Sequence, residues 1–98
     1  MLLAQPSPSD QRLTELKNIS YDTASKLNKI GIKTANDFLS SDPYEIFEAM
    51  LRKDPTINKK KVLAALVGAY KGSQWNSVFS EAQREYKMRR PDHLWDEK

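Results

Sequence analysis

Apolar residues fall in short clusters at helical spacing, separated by turn-forming residues. Leu13 and Leu16 stand three apart, and Ala24, Leu27 and Ile30 share one helical face. Phe38 and Leu39 form a third cluster, and Ile46, Phe47, Met50 and Leu51 a fourth. The segment Val62 to Tyr70 is apolar nearly all round, as central helices are. Ala82 and Tyr86, four apart, mark the last helix. Nowhere do β-branched residues alternate with polar ones, so strands are not expected. The pattern predicts an all-α fold, a compact bundle of five to six short helices. Leu66 is expected among its most buried residues.

Starts and stops place the helices. Ser7-Pro8-Ser9-Asp10 reads as the opening of the first, which carries Leu13 and Leu16 inward and stops near Lys17. Ser20 caps the second, and Gly31 suits a left-handed end to it, after which Ile32 turns inward. Thr34 with Asp37 forms a capping-box-like start to a third helix presenting Phe38 and Leu39. Asp42-Pro43-Tyr44-Glu45 is the clearest start in the chain, and that helix ends before Asp54-Pro55. Asn58 is expected to open the fifth helix, within which Gly68 permits a neighbouring helix to approach closely. Gly72 ends it. The last helix runs from about Ser80 to Arg90, and Pro91 closes it. The organisation expected is a loose leader over 1–8, one helical domain over 9–90 and a polar tail over 91–98.

Ninety-eight residues make one domain and leave no room for two catalytic lobes. The chain has no cysteine, so it has no disulfide frame, thiol nucleophile or thiolate zinc site. No apolar run approaches the roughly 20 residues that span a bilayer. The N-terminus lacks the pattern of a secretory signal, which makes the cytoplasm the expected location. A net charge of +3 is mildly basic.

The residues offer no credible active site, so no enzyme activity, cofactor, metal or small-molecule substrate is expected. The single histidine, His93, lies in the tail without a positioned partner in sequence. Glycine occurs only at positions 31, 68 and 72, too sparsely for a phosphate loop. The acids sit mostly at helix starts, where capping accounts for them.

A different kind of site is suggested by Lys17-Asn18-Ile19-Ser20 between two helices. This layout resembles a helix-hairpin-helix unit, whose second helix presents unpaired amides to a nucleic-acid phosphate. The glycines of that motif are Asn18 and Ser20 here. Asn tolerates left-handed backbone, whereas the Ser20 hydroxyl takes an amide the phosphate would use and Asp22 adds a like charge. The candidate nucleic-acid contacts are Lys17, Asn18, Ser20, Tyr21 and Lys26 around the hairpin, together with the triplet Lys59, Lys60 and Lys61. Cations at a helix start oppose its dipole, so the triplet has no capping explanation. Lys87, Arg89 and Arg90, at a helix end, do have one.

The aromatic residues divide. Trp75 reads as a lid on the core. Trp95, in a charged tail, either docks on its own domain or meets a partner. Tyr86, Met88, Leu94 and Trp95 are the candidate partner surface. The tail acids Asp92, Asp96 and Glu97 are expected beside Lys87, Arg89 or Arg90, and a sharp proline exit favours a second copy of the chain as the recipient.

Three stretches carry a family resemblance: Leu16-x-Asn18-Ile19, Lys29-Ile30-Gly31-Ile32-Lys33-Thr34, and Ala64-Ala65-Leu66-Val67-Gly68-Ala69-Tyr70-Lys71-Gly72-Ser73-Gln74-Trp75. From Leu13 to about Lys87 the chain resembles the C-terminal domain of the TfoX/Sxy competence-regulator family, as a stand-alone bacterial copy. The family usually has glycine after Asn-Ile, where this chain has Ser20. The resemblance implies an all-helical, helix-hairpin-helix-like fold and no catalysis. The function expected is a small binding module contacting DNA or the transcription and DNA-processing machinery. The alternative is a protein–protein adaptor or homodimer that binds no nucleic acid.

Overall fold

The computed structural model describes residues 12–96. Within them lie five helices, α1 (Tyr21–Asn28), α2 (Ala35–Leu39), α3 (Pro43–Lys53), α4 (Lys60–Lys71) and α5 (Phe79–Arg89). Single 3-10 turns occur at Leu13–Glu15, Pro55–Ile57 and Trp75–Ser77. The described residues contain no strand, only an isolated bridge between Arg12 and Thr34. The fold is the all-α bundle that the apolar spacing predicts.

Local chemistry explains most of the boundaries. The Ser20 hydroxyl accepts from the Thr23 amide and starts α1. Thr34 and Asp37 form a complete capping box: Thr34 Oγ1 accepts from the Asp37 amide, and the Asp37 carboxylate accepts from the Thr34 amide. The amides of Lys33 and Thr34 on that carboxylate hold its pKa below 3.8. Asp42 accepts from the Tyr44 amide and starts α3, with Pro43 in the first turn. Gly31 and Gly72 both adopt positive φ, at 90° and 73°, where the chain leaves α1 and α4.

Several details differ from the sequence expectation. The start at Ser7 to Asp10 lies outside the described residues. What is described of the first helix is one 3-10 turn, with Leu16 already extended. The cap of α4 is Lys59, not Asn58, and it makes no side-chain capping bond. Asn58 is engaged elsewhere, by the tail. Leu39 is exposed rather than inward, because α2 is short and Phe38, one residue earlier, takes the buried side. Ile30 lies past the end of α1 and packs, half-buried, against the core from the following turn.

The core forms around α4, which packs against both α3 and α5. Leu63, Ala64, Leu66 and Val67 of α4 are fully covered, as expected for Leu66. Ile46, Phe47 and Met50 come from α3, Ala82 and Tyr86 from α5, and Leu27 and Phe38 from α1 and α2.

Candidate nucleic-acid interface

The hairpin is held by its own asparagine. Asn18 adopts φ 69°, the left-handed backbone the turn requires. Its side chain then reaches the far end of α4. Asn18 Nδ2 donates to the carbonyls of Ser73 at 2.9 Å and Ala65 at 3.4 Å. Asn18 Oδ1 accepts from the Trp75 amide at 3.1 Å. Gly68 makes room for this: a Cβ there would stand 2.6 Å from both Asn18 Nδ2 and the Ser73 carbonyl. Gly68 therefore admits a side chain and a loop, where the sequence suggested a neighbouring helix. Ile19 fills the core beneath the hairpin.

Within the clamped hairpin, one amide at the start of α1 is already taken. Ser20 takes the Thr23 amide. Lys26 lies between two carboxylates, Asp22 at 3.2 Å and Asp54 at 3.6 Å. Lys17 and Tyr21 are exposed beside it.

The lysine triplet does not act as a block, because its members diverge. Lys59 Nζ bonds the Asp96 carbonyl and lies 3.9 Å from the Asp96 carboxylate. Lys61 Nζ sits 4.8 Å over the centroid of Trp75. Trp75 itself is half-buried, edge-on to Phe79 at 5.8 Å, and so covers the rim of the core rather than its centre. Lys60 turns to a cleft of about 420 Å³ between the start of α4 and the end of α5. Gln83, Arg84, Lys87 and Arg90 line the α5 side of this cleft, and Pro91, His93 and Trp95 line the tail side. Arg84 and Lys87 have no carboxylate within ion-pair distance among the described residues. Arg90 is bidentate on Glu48, at 2.8 and 2.9 Å. Arg89 pairs with Asp42 at 2.8 Å and Glu85 at 2.9 Å. Arg89 and Arg90 thus pair within the helical domain; Asp96 lies at Lys59, and Glu97 lies outside the described residues.

The tail docks on its own chain. Trp95 packs 5.6 Å from Phe47 and 5.5 Å from Tyr86. His93 stands edge-on to Tyr86 at 4.9 Å and to Trp95 at 4.6 Å. Tyr86 is 2% exposed, so it is the floor under the tail rather than a free partner surface. Met88 and Leu94, by contrast, are 76% and 82% exposed. Leu94 points out because alternate residues of the extended tail, His93 and Trp95, point in. The sequence reading missed the residue that clamps the tail. Asn58 Nδ2 donates to the Leu94 carbonyl at 2.8 Å, and the Asn58 carbonyl accepts from the Asp96 amide at 3.0 Å. Asn58 Oδ1 lies 2.7 Å from His93 Nε2 and can only accept, so Nε2 carries the proton. One signal was available: an Asn-Lys pair leading into α4 with the better cap, Asn58, one position too early.

Burial lowers the His93 pKa from 6.5, against a smaller upward pull from Glu48. The unfolded chain therefore binds more protons than the folded one as pH falls through 6.5, and stability declines in that window. The carboxylates Asp37, Asp42 and Asp54 are all lowered, so their contribution is lost only below 3.8. Stability should thus fall in two separate pH windows. The first should coincide with a change in tryptophan fluorescence as the tail loosens, and His93→Gln should remove it.

Among the described residues, no helix is long and apolar enough to cross a membrane, and no group of three His, Cys, Asp or Glu is placed to hold a metal. No curated protein matches the chain. Among solved structures it is similar to an uncharacterised protein from Listeria monocytogenes, crystallised in a triclinic form. The two share 27% identity with a TM-score of 0.69, over 84% of this chain and 97% of that one. The model of the TfoX C-terminal domain matches residues 9–89, which span the hairpin, Gly68 and Trp75. The chain belongs to the TfoX C-terminal domain family.

Proposed function

We propose that this chain is a non-catalytic binding module that contacts the phosphates of nucleic acid through the basic cleft between α4 and α5. The observation that carries this reading is the placement of Arg84 and Lys87, one turn apart on α5, on a cleft with no acidic lining among the described residues. Such a patch is the electrostatic footprint of phosphate binding. The hairpin is the weaker candidate, since Ser20 takes the Thr23 amide and two acids engage Lys26. The family is one of non-catalytic domains, which supports the absence of chemistry.

Binding of labelled DNA across a salt series tests this. Affinity should fall as salt rises, and Arg84→Ala with Lys87→Ala should reduce the log–log slope by about 2. A slope near zero in the parent protein would overturn the reading. So would an unchanged slope in the double variant together with tighter binding by Ser20→Gly, which moves the site to the hairpin.

A protein–protein adaptor is the second reading. It is favoured by Met88 and Leu94, two large apolar side chains left in solvent. That reading predicts no salt-dependent DNA binding and a change in molar mass by light scattering when both are replaced by Ser.

A further inference from the structure

The two walls of the cleft differ in chemistry. On the α5 side stand Arg84 and Lys87, beside Gln83. Opposite them stand two rings, His93 and Trp95, both half-buried and both lining the cleft. A purely electrostatic phosphate site needs no second wall of this kind. Cations facing planar rings are what a nucleotide unit requires, with its phosphate on one side and its base on the other.

The aromatic wall is fixed before any ligand arrives. Trp95 leans on Phe47 and Tyr86, His93 is tied to Asn58, and the tail backbone is bonded to Asn58 at Leu94 and Asp96. Preorganised rings bind without the cost of ordering them. Burial disfavours the charged form of His93, which favours a ring over a charge on this wall. The cleft volume of about 420 Å³ falls in the range of small-ligand sites.

We infer that this cleft is a subsite for one unpaired nucleotide, with Arg84 and Lys87 on the phosphate and the rings of His93 and Trp95 against the base. The inference rests on the phosphate-binding reading and adds a direction to it. In a duplex each base is stacked on both faces and cannot enter a recess, whereas a single-stranded base can leave its stack. The chain therefore discriminates for single strands.

The full chain is titrated with labelled oligothymidine and with the same strand annealed to oligoadenosine, by fluorescence anisotropy. The single strand should bind about tenfold tighter or more, and Trp95→Leu should remove most of that advantage. A second measurement stays decisive if Trp95→Leu fails to fold. In a Trp75→Phe protein Trp95 is the sole indole, and thymidine 5′-monophosphate should quench it while ribose 5-phosphate does not. Equal affinity for single and double strands, with no quenching and a salt slope retained, overturns the subsite and leaves phosphate binding standing. Absence of any salt-dependent binding to either strand overturns both. Quenching by ribose 5-phosphate equal to that by the nucleotide overturns the role given to the base.

Discussion

Phe47→Ala should destabilise the protein by about 3–5 kcal/mol, the usual cost of removing a buried aromatic side chain. Phe47 is 0% exposed on α3. Its ring meets Tyr86 edge-on at 5.4 Å and Trp95 at 5.6 Å, with His93 at 6.4 Å. It thus belongs to two assemblies at once, the core between α3 and α5 and the seat of the tail. The cost should exceed that of Trp95→Ala, because Trp95 is only half-buried and its removal leaves the helices in contact. Phe47→Leu should separate the two roles by retaining apolar volume while losing the ring that the tail leans on. Denaturant titration by circular dichroism gives the stability, and tryptophan fluorescence reports the tail. A loss below about 1 kcal/mol for Phe47→Ala would mean that the α3–α5 contact is not part of the cooperative core.

What the sequence reveals follows the range of each interaction. Caps act over two to four residues, so Ser20, Thr34 with Asp37, and Asp42 with Pro43 are all readable, and each does start a helix. Apolar spacing likewise identifies α4 as the central helix and Leu66 as covered. The misreadings concern side chains whose partners lie far along the chain. Asn58 looks like a cap because caps are what asparagine does locally; its real partners are 35 to 38 residues away in the tail. The lysine triplet looks like a patch because its charges are adjacent in sequence. Successive helical residues point about 100° apart, so Lys59, Lys60 and Lys61 reach three different places. Arg84, the residue that pairs with Lys87 to make the cleft basic, carried no local signal at all. The tail shows the same limit. Its sequence left docking on its own domain and meeting a partner both open, while the alternation of His93, Leu94 and Trp95 already contained the inward and outward faces of an extended strap.

Asn18 and Gly68 should show the largest departure from what their residue types suggest. Replacing a mid-helix glycine by alanine ordinarily stabilises by about 0.5–1 kcal/mol. At Gly68 the sign should reverse, to a loss of about 1–3 kcal/mol, since the new methyl would meet Asn18 Nδ2 and the Ser73 carbonyl at 2.6 Å. Asn18 can swing aside, but Ser73 presents backbone, which moves only with the loop. Asn18→Ala should cost about 2–5 kcal/mol. It leaves the Trp75 amide and the Ser73 carbonyl without their partner, at about 1–3 kcal/mol for each that water does not reach. It also puts a Cβ-bearing residue without a local hydrogen bond at φ 69°. Asn18→Gly isolates these terms, because glycine accepts the backbone angle and loses only the hydrogen bonds. It should therefore fall about 1 kcal/mol short of the alanine variant. The two sites touch, so their effects should not add. With Asn18 already shortened, Gly68→Ala meets only Ser73 and should cost less than it does alone. Denaturation midpoints for the single and double variants measure this coupling. Simple additivity would mean that the hairpin and the end of α4 are not joined through this side chain.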